Sequence, residues 1–153
     1  MSFLQTCLGA LHSLEWVGIL LARLTVGLLF LLTGQGKLFR TQSRERMRQS
    51  LQSAGIPFPR LSAVAVSVVE FVFGGLLVLG ALTPLACVML SGVMVVALAT
   101  TKIQSIRASS PSEWLSRFLY LPEVLYLVLL VWLFFSGPGR LSVDEGFLSL
   151  GRM

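Results

Sequence analysis

The stretch WVGILLARLTVGLLFLLTGQGKL, residues 16–38, decides the fold class because it is an apolar run long enough to cross a bilayer. A transmembrane helix needs about 20 such residues. Three further runs of this kind follow, at Leu61–Gly80, Pro84–Thr101 and Phe118–Ser136. Backbone groups in lipid must bond to one another, and these continuous runs are too long for barrel strands of about 10 alternating residues. The sequence therefore predicts an all-α membrane protein, a bundle of four transmembrane helices.

The composition excludes a soluble globular protein. Hydrophobic residues make up 55% of the 153 residues and charged residues only 12%, whereas soluble domains carry about 25% charged residues. Four spans leave little chain for anything else, so we expect a single membrane domain over residues 1–153. Ahead of the first span, apolar residues recur at helical spacing and predict a short interfacial amphipathic helix: Phe3, Leu4, Cys7, Leu8, Leu11 and Leu14.

The net charge is +5, and the distribution of the basic residues is that of a membrane protein and not of a nucleic-acid-binding protein. Nine basic residues fall in the two loops after the first and third spans: Lys37, Arg40, Arg44, Arg46, Arg48, Arg60, Lys102, Arg107 and Arg117. Only Arg140 and Arg152 follow the last span. Because cytoplasmic loops carry the excess of Lys and Arg, we expect both basic loops in the cytoplasm. Both termini would then lie on the other side of the cell (inner) membrane.

Three ionisable residues lie inside the apolar runs and are the candidate functional residues. Arg23 lies in the first run, Glu70 in the second and Glu123 near the start of the fourth. A charge inside the bilayer costs at least about 2.5 kcal/mol, so it normally faces the bundle interior and pairs. Because the first two spans form an antiparallel hairpin, we predict that Arg23 and Glu70 interact directly or through water. For Glu123 the candidate partners are Lys37 and Lys102, at the cytoplasmic helix ends.

The segment around Glu123 predicts a polar pocket that opens toward the cytoplasm. Pro122 lacks a backbone donor and kinks or starts a helix, which places a carboxylate beside the basic ends of the other spans. The alternative is an interfacial carboxylate that the dipole of its helix favours. Small residues near the charges allow neighbouring helices to approach closely, and they predict the helix-packing positions Gly27, Gly34, Gly74 and Gly75.

The first basic loop and Cys87 allow two further predictions. The first basic loop, around Arg44–Arg48, is weakly amphipathic and is expected to rest on anionic lipid headgroups. Docking of a soluble partner is the alternative for this loop. Cys87, inside the third run, is expected to be a buried small apolar residue.

Residues in a fixed order along the chain carry a family resemblance: Arg23, Phe30, Gly34, Lys37, Gly55, Ile56, Pro57, Glu70, Gly74, Gly75, Gly80, Glu123 and the closing motif Gly137, Pro138, Gly139, Arg140, Leu141, Ser142, Val143, Asp144. They resemble the DoxX family of small four-helix membrane proteins. In the closing motif, the glycines and the proline stop the last helix, and Ser142 and Asp144 can bond to exposed backbone groups. One departure is Lys102, where family members often carry a histidine.

The resemblance implies a membrane subunit of a redox complex, because the family takes its name from a subunit of an archaeal thiosulfate:quinone oxidoreductase. The sequence has no haem-ligand pair, nucleotide-binding fingerprint or thiol pair. We therefore expect no intrinsic cofactor, a quinone or lipid as candidate ligand, and other subunits or a second copy as partners. Two alternatives stay open: a scaffold whose buried ion pair fixes helix register, and a pathway for a small solute or protons.

Overall fold

The computed structural model describes residues 15–53, 55, 58–103, 106, 110–139 and 141–150, and every regular element in these ranges is helical. In chain order the elements are α1 (Glu15–Phe39), α2 (Thr41–Ser53), α3 (Pro59–Leu79), α4 (Thr83–Ala97), a π-helical turn (Leu98–Lys102), α5 (Pro111–Leu119), α6 (Pro122–Ser136) and α7 (Val143–Leu150). The predicted N-terminal amphipathic helix and Arg140 lie outside the described residues, and so does the side chain of Lys102.

The all-α membrane bundle that the sequence predicts is confirmed. Three segments are long and apolar enough to cross a membrane, namely α1, α3 and the stretch Thr83–Thr100. The fourth apolar run is not one straight helix, because it breaks into α5 and α6, whose axes are bent by 62°. Pro122 stands in the first turn of α6, and Leu121 before it is extended, as residues before proline generally are. Counting the bent pair as one span gives four.

Helices α1 and α3 pack with their backbones in contact. A Cβ atom at Gly34 would lie 2.5 Å from the backbone nitrogen of Phe71, and one at Gly74 would lie 2.5 Å from that of Leu31. A Cβ at Gly27 would lie 2.8 Å from a side-chain carbon of Val78. Gly75 differs, since a Cβ there would make an ordinary 3.6 Å contact. The close approach therefore depends on three of the four glycines.

The four long helices surround an apolar core in the order α1, α3, α4 and α6, with α6 returning to α1. The buried core side chains include Val26, Phe30, Leu77, Ala86, Cys87, Leu90, Leu130 and Leu133. Cys87 is thus a buried small apolar residue, as expected. This core separates two ends of the bundle. We call the end with Lys37, α2 and Glu123 the basic end, and the end with Arg23, Gly80 and residues 137–144 the opposite end.

Candidate functional site

The polar side chains of the basic end converge on a cavity of about 310 Å³. Five segments supply one each: Lys37 from α1, Ser50 from α2, Glu70 from α3, Thr100 from the π-helical turn and Glu123 from α6. The rest of the wall is mainly apolar and includes Val66, Val93, Met94, Val96 and Ala97. A volume near 300 Å³ and an apolar wall with a few polar groups are typical of ligand-binding pockets.

An ion pair lines this cavity. The Lys37 ammonium donates hydrogen bonds to both carboxylate oxygens of Glu70, with Nζ 2.7 Å from Oε1 and 2.6 Å from Oε2. The Glu70 side chain is 3% exposed and that of Lys37 is 27% exposed. The carboxylate is therefore held inside the bundle, while the lysine reaches it from the partly accessible edge. Such a charge is tolerated because its partner satisfies both of its oxygens.

The glycine contact between α1 and α3 explains why these two residues meet. Gly34 and Lys37 lie one helical turn apart on one face of α1. The backbone of Gly34 touches that of Phe71, which directly follows Glu70 in the chain. A side chain at Gly34 would push the helices apart and carry the ammonium away from the carboxylate. The packing residues and the polar residues of α1 therefore form one arrangement.

Glu123 brings a second carboxylate to the cavity. It lies in the first turn of α6, directly after Pro122, and its side chain is half-buried. When all three groups are ionised, Lys37, Glu70 and Glu123 give the cavity one positive and two negative charges. This set can hydrogen-bond a polar headgroup and exchange protons with it. Lys102, the other expected partner of Glu123, has its side chain outside the described part of the chain.

Helix α2 covers one side of the cavity, a role that the sequence pattern did not lead us to predict. Met47, Ser50 and Leu51 line it, and Leu51 is buried. The three residues have helical spacing. This spacing could have indicated that one face of α2 packs against the bundle, although the segment is otherwise basic and polar. Arg46, by contrast, is exposed. Helix α2 is therefore a wall of the cavity as well as a basic surface.

A π-helical turn shapes the rim of the cavity beside α4. The backbone N–H of Ile103 bonds to the carbonyl of Leu98, five residues earlier. Thr100, within this turn, lines the cavity, and its hydroxyl donates to the carbonyl of Val96 at 2.7 Å. Single π-helical turns are rare and often occur at functional sites, where they widen the helix locally.

Arg23 lies at the opposite end, and the predicted pairing of Arg23 with Glu70 is wrong. Its guanidinium donates hydrogen bonds to the backbone carbonyls of Pro138 and Leu141. The guanidinium also lies against Gly80, because a Cβ atom at Gly80 would be 2.6 Å from Nη1 of Arg23. Glu70 lies on α3, ten residues before Gly80, which caps the C-terminal end of that helix. This spacing corresponds to about 15 Å along the helix. The packing register of α1 and α3 therefore separates the two charges.

Asp144 ties the closing motif to the turn between α3 and α4. Its carboxylate accepts hydrogen bonds from the backbone N–H groups of Leu82 and Thr83, both at 2.8 Å. Its own N–H donates to the carbonyl of Gly80 at 3.0 Å. Asp144 therefore caps the N-terminus of α4 from a distant part of the chain. Burial alone would raise the pKa of this carboxyl, but these hydrogen bonds and the charge of Arg23 lower it below its ordinary value.

The rest of the closing motif shapes the chain around Arg23. Gly137 has a positive φ of 79° and ends α6. The hydroxyl of Ser142 donates to the carbonyl of Gly139 at 2.8 Å and accepts from the N–H of Glu145 at 3.1 Å. The folding of Ser142 and Asp144 onto backbone groups, which the sequence predicts, is confirmed. We call Arg23, Gly80, Asp144 and the carbonyls that Arg23 binds the opposite-end network.

A family model described as DoxX matches residues 18–103. The chain belongs to the DoxX family. An uncharacterized membrane protein of Mycobacterium tuberculosis (strain ATCC 25618 / H37Rv) is 33% identical to this DoxX-family chain over 139 residues, which cover 88% of the chain and 84% of that protein. No solved structure gives a significant match. The DoxX match includes Lys37 and Glu70 and ends before Glu123 and the closing motif.

Proposed function

We propose that this integral membrane protein of the DoxX family is the quinone-binding subunit of an oxidoreductase, with the quinone headgroup in the cavity at the basic end. One observation carries the proposal, namely the meeting of a buried ion pair and a second carboxylate in an otherwise apolar cavity of about 310 Å³. A quinone headgroup is a flat apolar ring with two carbonyl oxygens, so it needs an apolar wall and a few hydrogen-bond donors.

The residues of the cavity can provide both the polar contacts and the apolar wall that a quinone headgroup needs. A quinone, when bound, accepts two electrons and two protons and becomes a quinol. Lys37 would donate a hydrogen bond to one carbonyl oxygen, and Glu70 would hold that lysine in place. Glu123 would exchange protons between the headgroup and water at the basic end. The apolar side chains of α3 and α4 would hold the ring and exclude water from it.

Electrons would come from another protein of the complex, since the sequence of this chain has no haem-ligand pair or thiol pair. That partner is a different, redox-active subunit that docks at the basic end. We further propose an inner-membrane location, with the basic end in the cytoplasm and both termini on the other side. The strong excess of basic residues in the first and third loops supports this orientation.

The two alternatives apply to different parts of the molecule. A scaffolding role is favoured for the opposite-end network, because two backbone carbonyls accept hydrogen bonds from the Arg23 guanidinium and the charge of Asp144 lies near it. A pathway for protons or a small solute has less support in a single copy. Buried side chains fill the bundle between its two ends, among them Phe30, Leu77, Leu90 and Leu130.

The test measures binding of a short-tailed benzoquinone to the full chain in lipid nanodiscs. Quenching of tryptophan fluorescence reports the binding. Wild type should bind saturably, and Glu70→Gln should weaken binding about tenfold. The reason is that Lys37 loses its charged anchor, and a hydrogen bond to a charged group contributes about 1.5–3 kcal/mol. Glu145→Gln is the matched control, because Glu145 is exposed at the opposite end. Lack of saturable binding to wild type, or equal binding by both variants, would refute the proposal.

A further inference from the structure

A second concave surface at the basic end shares no lining residue with the cavity around Glu70. It is a groove of about 360 Å³ between α2 and α3, lined by Thr41, Glu45, Arg48, Arg60, Ala63 and Val64. A neighbouring hollow shares Arg48 and Arg60 and adds the exposed side chains of Phe58 and Leu61. We call the two together the α2–α3 groove. We propose that it binds the headgroup of an anionic phospholipid, with one acyl chain along the outer face of α3.

The charges of the α2–α3 groove match one phosphodiester. Nε of Arg48 donates to both carboxylate oxygens of Glu45, at 3.0 and 2.9 Å, so the two side chains hold each other in place. The hydrogen bond from Arg48, together with the nearby charges of Arg48 and Arg60, lowers the pKa of Glu45. The carboxylate therefore stays ionised. Among the described side chains that line the groove, two guanidinium groups and one carboxylate sum to a charge of +1. A phosphodiester headgroup with one negative charge neutralises this excess.

The outer face of α3 supplies the place for an acyl chain. Leu61, Val64, Val68 and Val72 are all exposed, and their spacing of three, four and four residues puts them on one side of the helix. This apolar stripe starts in the α2–α3 groove and continues along a helix that is long enough to cross the membrane. Cations at the membrane border above such a stripe are the arrangement that anionic lipids recognise. A free phosphate would use only the cations.

The experiment is native mass spectrometry of the full chain, released from detergent micelles that contain equal amounts of phosphatidylglycerol and phosphatidylcholine. Wild type should retain phosphatidylglycerol in preference. Arg60→Gln should lower this retention about fivefold, because one basic residue near an anionic surface contributes about 1 kcal/mol. Glu45→Gln should raise it by a similar factor. Arg46→Gln is the matched control, since Arg46 is exposed on α2 and does not line the groove.

Three results would overturn the proposal: equal retention of the two lipids, equal losses in Arg60→Gln and Arg46→Gln, or displacement of the lipid by an equal concentration of inorganic phosphate. The last would identify a site for free anions. If Arg60→Gln fails to fold, as judged by circular dichroism, Glu45→Gln decides the question alone. A gain of retention in that variant supports the site, because a folding defect does not produce one, and an unchanged value refutes it.

Discussion

The two ends of the bundle both bury a charge, yet they surround it differently. Arg23 and Glu70 are each 2% exposed. The guanidinium of Arg23 is bonded to backbone carbonyls, near Asp144, whereas Glu70 faces a cavity together with Lys37 and Glu123. A buried charge in a membrane helix therefore does not by itself identify a functional site. In this chain the open space beside Glu70 is the feature that favours our proposal of a binding site at the basic end, and Arg23 is instead bonded to backbone carbonyls.

Removing each buried charge in turn should destabilise the two ends of the bundle by different amounts. Arg23→Met should cost about 2–6 kcal/mol, because two backbone carbonyls lose their charged donor and an unsatisfied buried acceptor costs about 1–3 kcal/mol. Glu70→Gln should cost about 1 kcal/mol, because the amide keeps one acceptor oxygen and Lys37 can extend toward water at the basic end. Melting temperatures of the purified variants in one detergent provide the measurement. Equal losses of stability in the two variants would mean that Glu70, like Arg23, serves mainly to stabilise the bundle.

Gly80→Ala tests the opposite end without removing a charge, and its effect should be smaller, about 2 kcal/mol. Gly80 has a positive φ of 66°, and a Cβ there would lie 2.6 Å from Nη1 of Arg23 and 2.6 Å from Cβ of Ser142. The left-handed backbone alone costs an L-residue about 1–2 kcal/mol. Gly92→Ala is the control, because nothing lies within 4 Å of a Cβ at that helical position. It should leave the melting temperature unchanged or raise it slightly. A similar result for Gly80→Ala would contradict this packing of Arg23 against the turn.

The helical bundle can be predicted from the sequence, whereas only some of its polar contacts can. Apolar runs of 18 residues or more are a direct consequence of bilayer thickness, and Pro122 marks the start of α6. The pairing of Lys37 with Glu70 in place of Arg23 depends on which residues face each other across α1 and α3. That register follows from backbone contacts at Gly34 and Gly74, and several registers of the same small residues are compatible with the sequence.

Other features were hidden for different physical reasons. The partners of Arg23 are backbone carbonyls, which every residue has, so no residue type indicates them. Their position depends on the path of the chain after Gly137, far from Arg23 in sequence. The role of α2 as a cavity wall was obscured by its composition, since its basic residues outnumber Met47 and Leu51. Conversely, the bonding of Asp144 to backbone groups was predictable, because a short acidic side chain after a glycine-rich stop commonly does this. Its actual partners, at the start of α4, were not predictable, because they are far from Asp144 in sequence.

The smallest expected effect concerns the pH dependence of the opposite end. The folded-state pKa of Asp144 is lowered, so its stabilising effect is complete above the unfolded pKa of about 3.9. It is lost as the pH falls through the folded-state pKa. Asp144→Asn should therefore cost about 1 kcal/mol at pH 7, the usual effect of a helix cap, and progressively less in acid.

Melting temperatures of wild type and Asp144→Asn, measured from pH 7 down to pH 3 in one detergent, test this dependence. Glu145→Gln, an exposed neighbour, corrects for general effects of lost negative charge. A difference between wild type and Asp144→Asn that stays constant with pH would mean that the carboxylate charge is not what caps α4. The stability of the opposite end would then depend on the hydrogen bonds of Arg23, because the charge of Asp144 would contribute nothing to it.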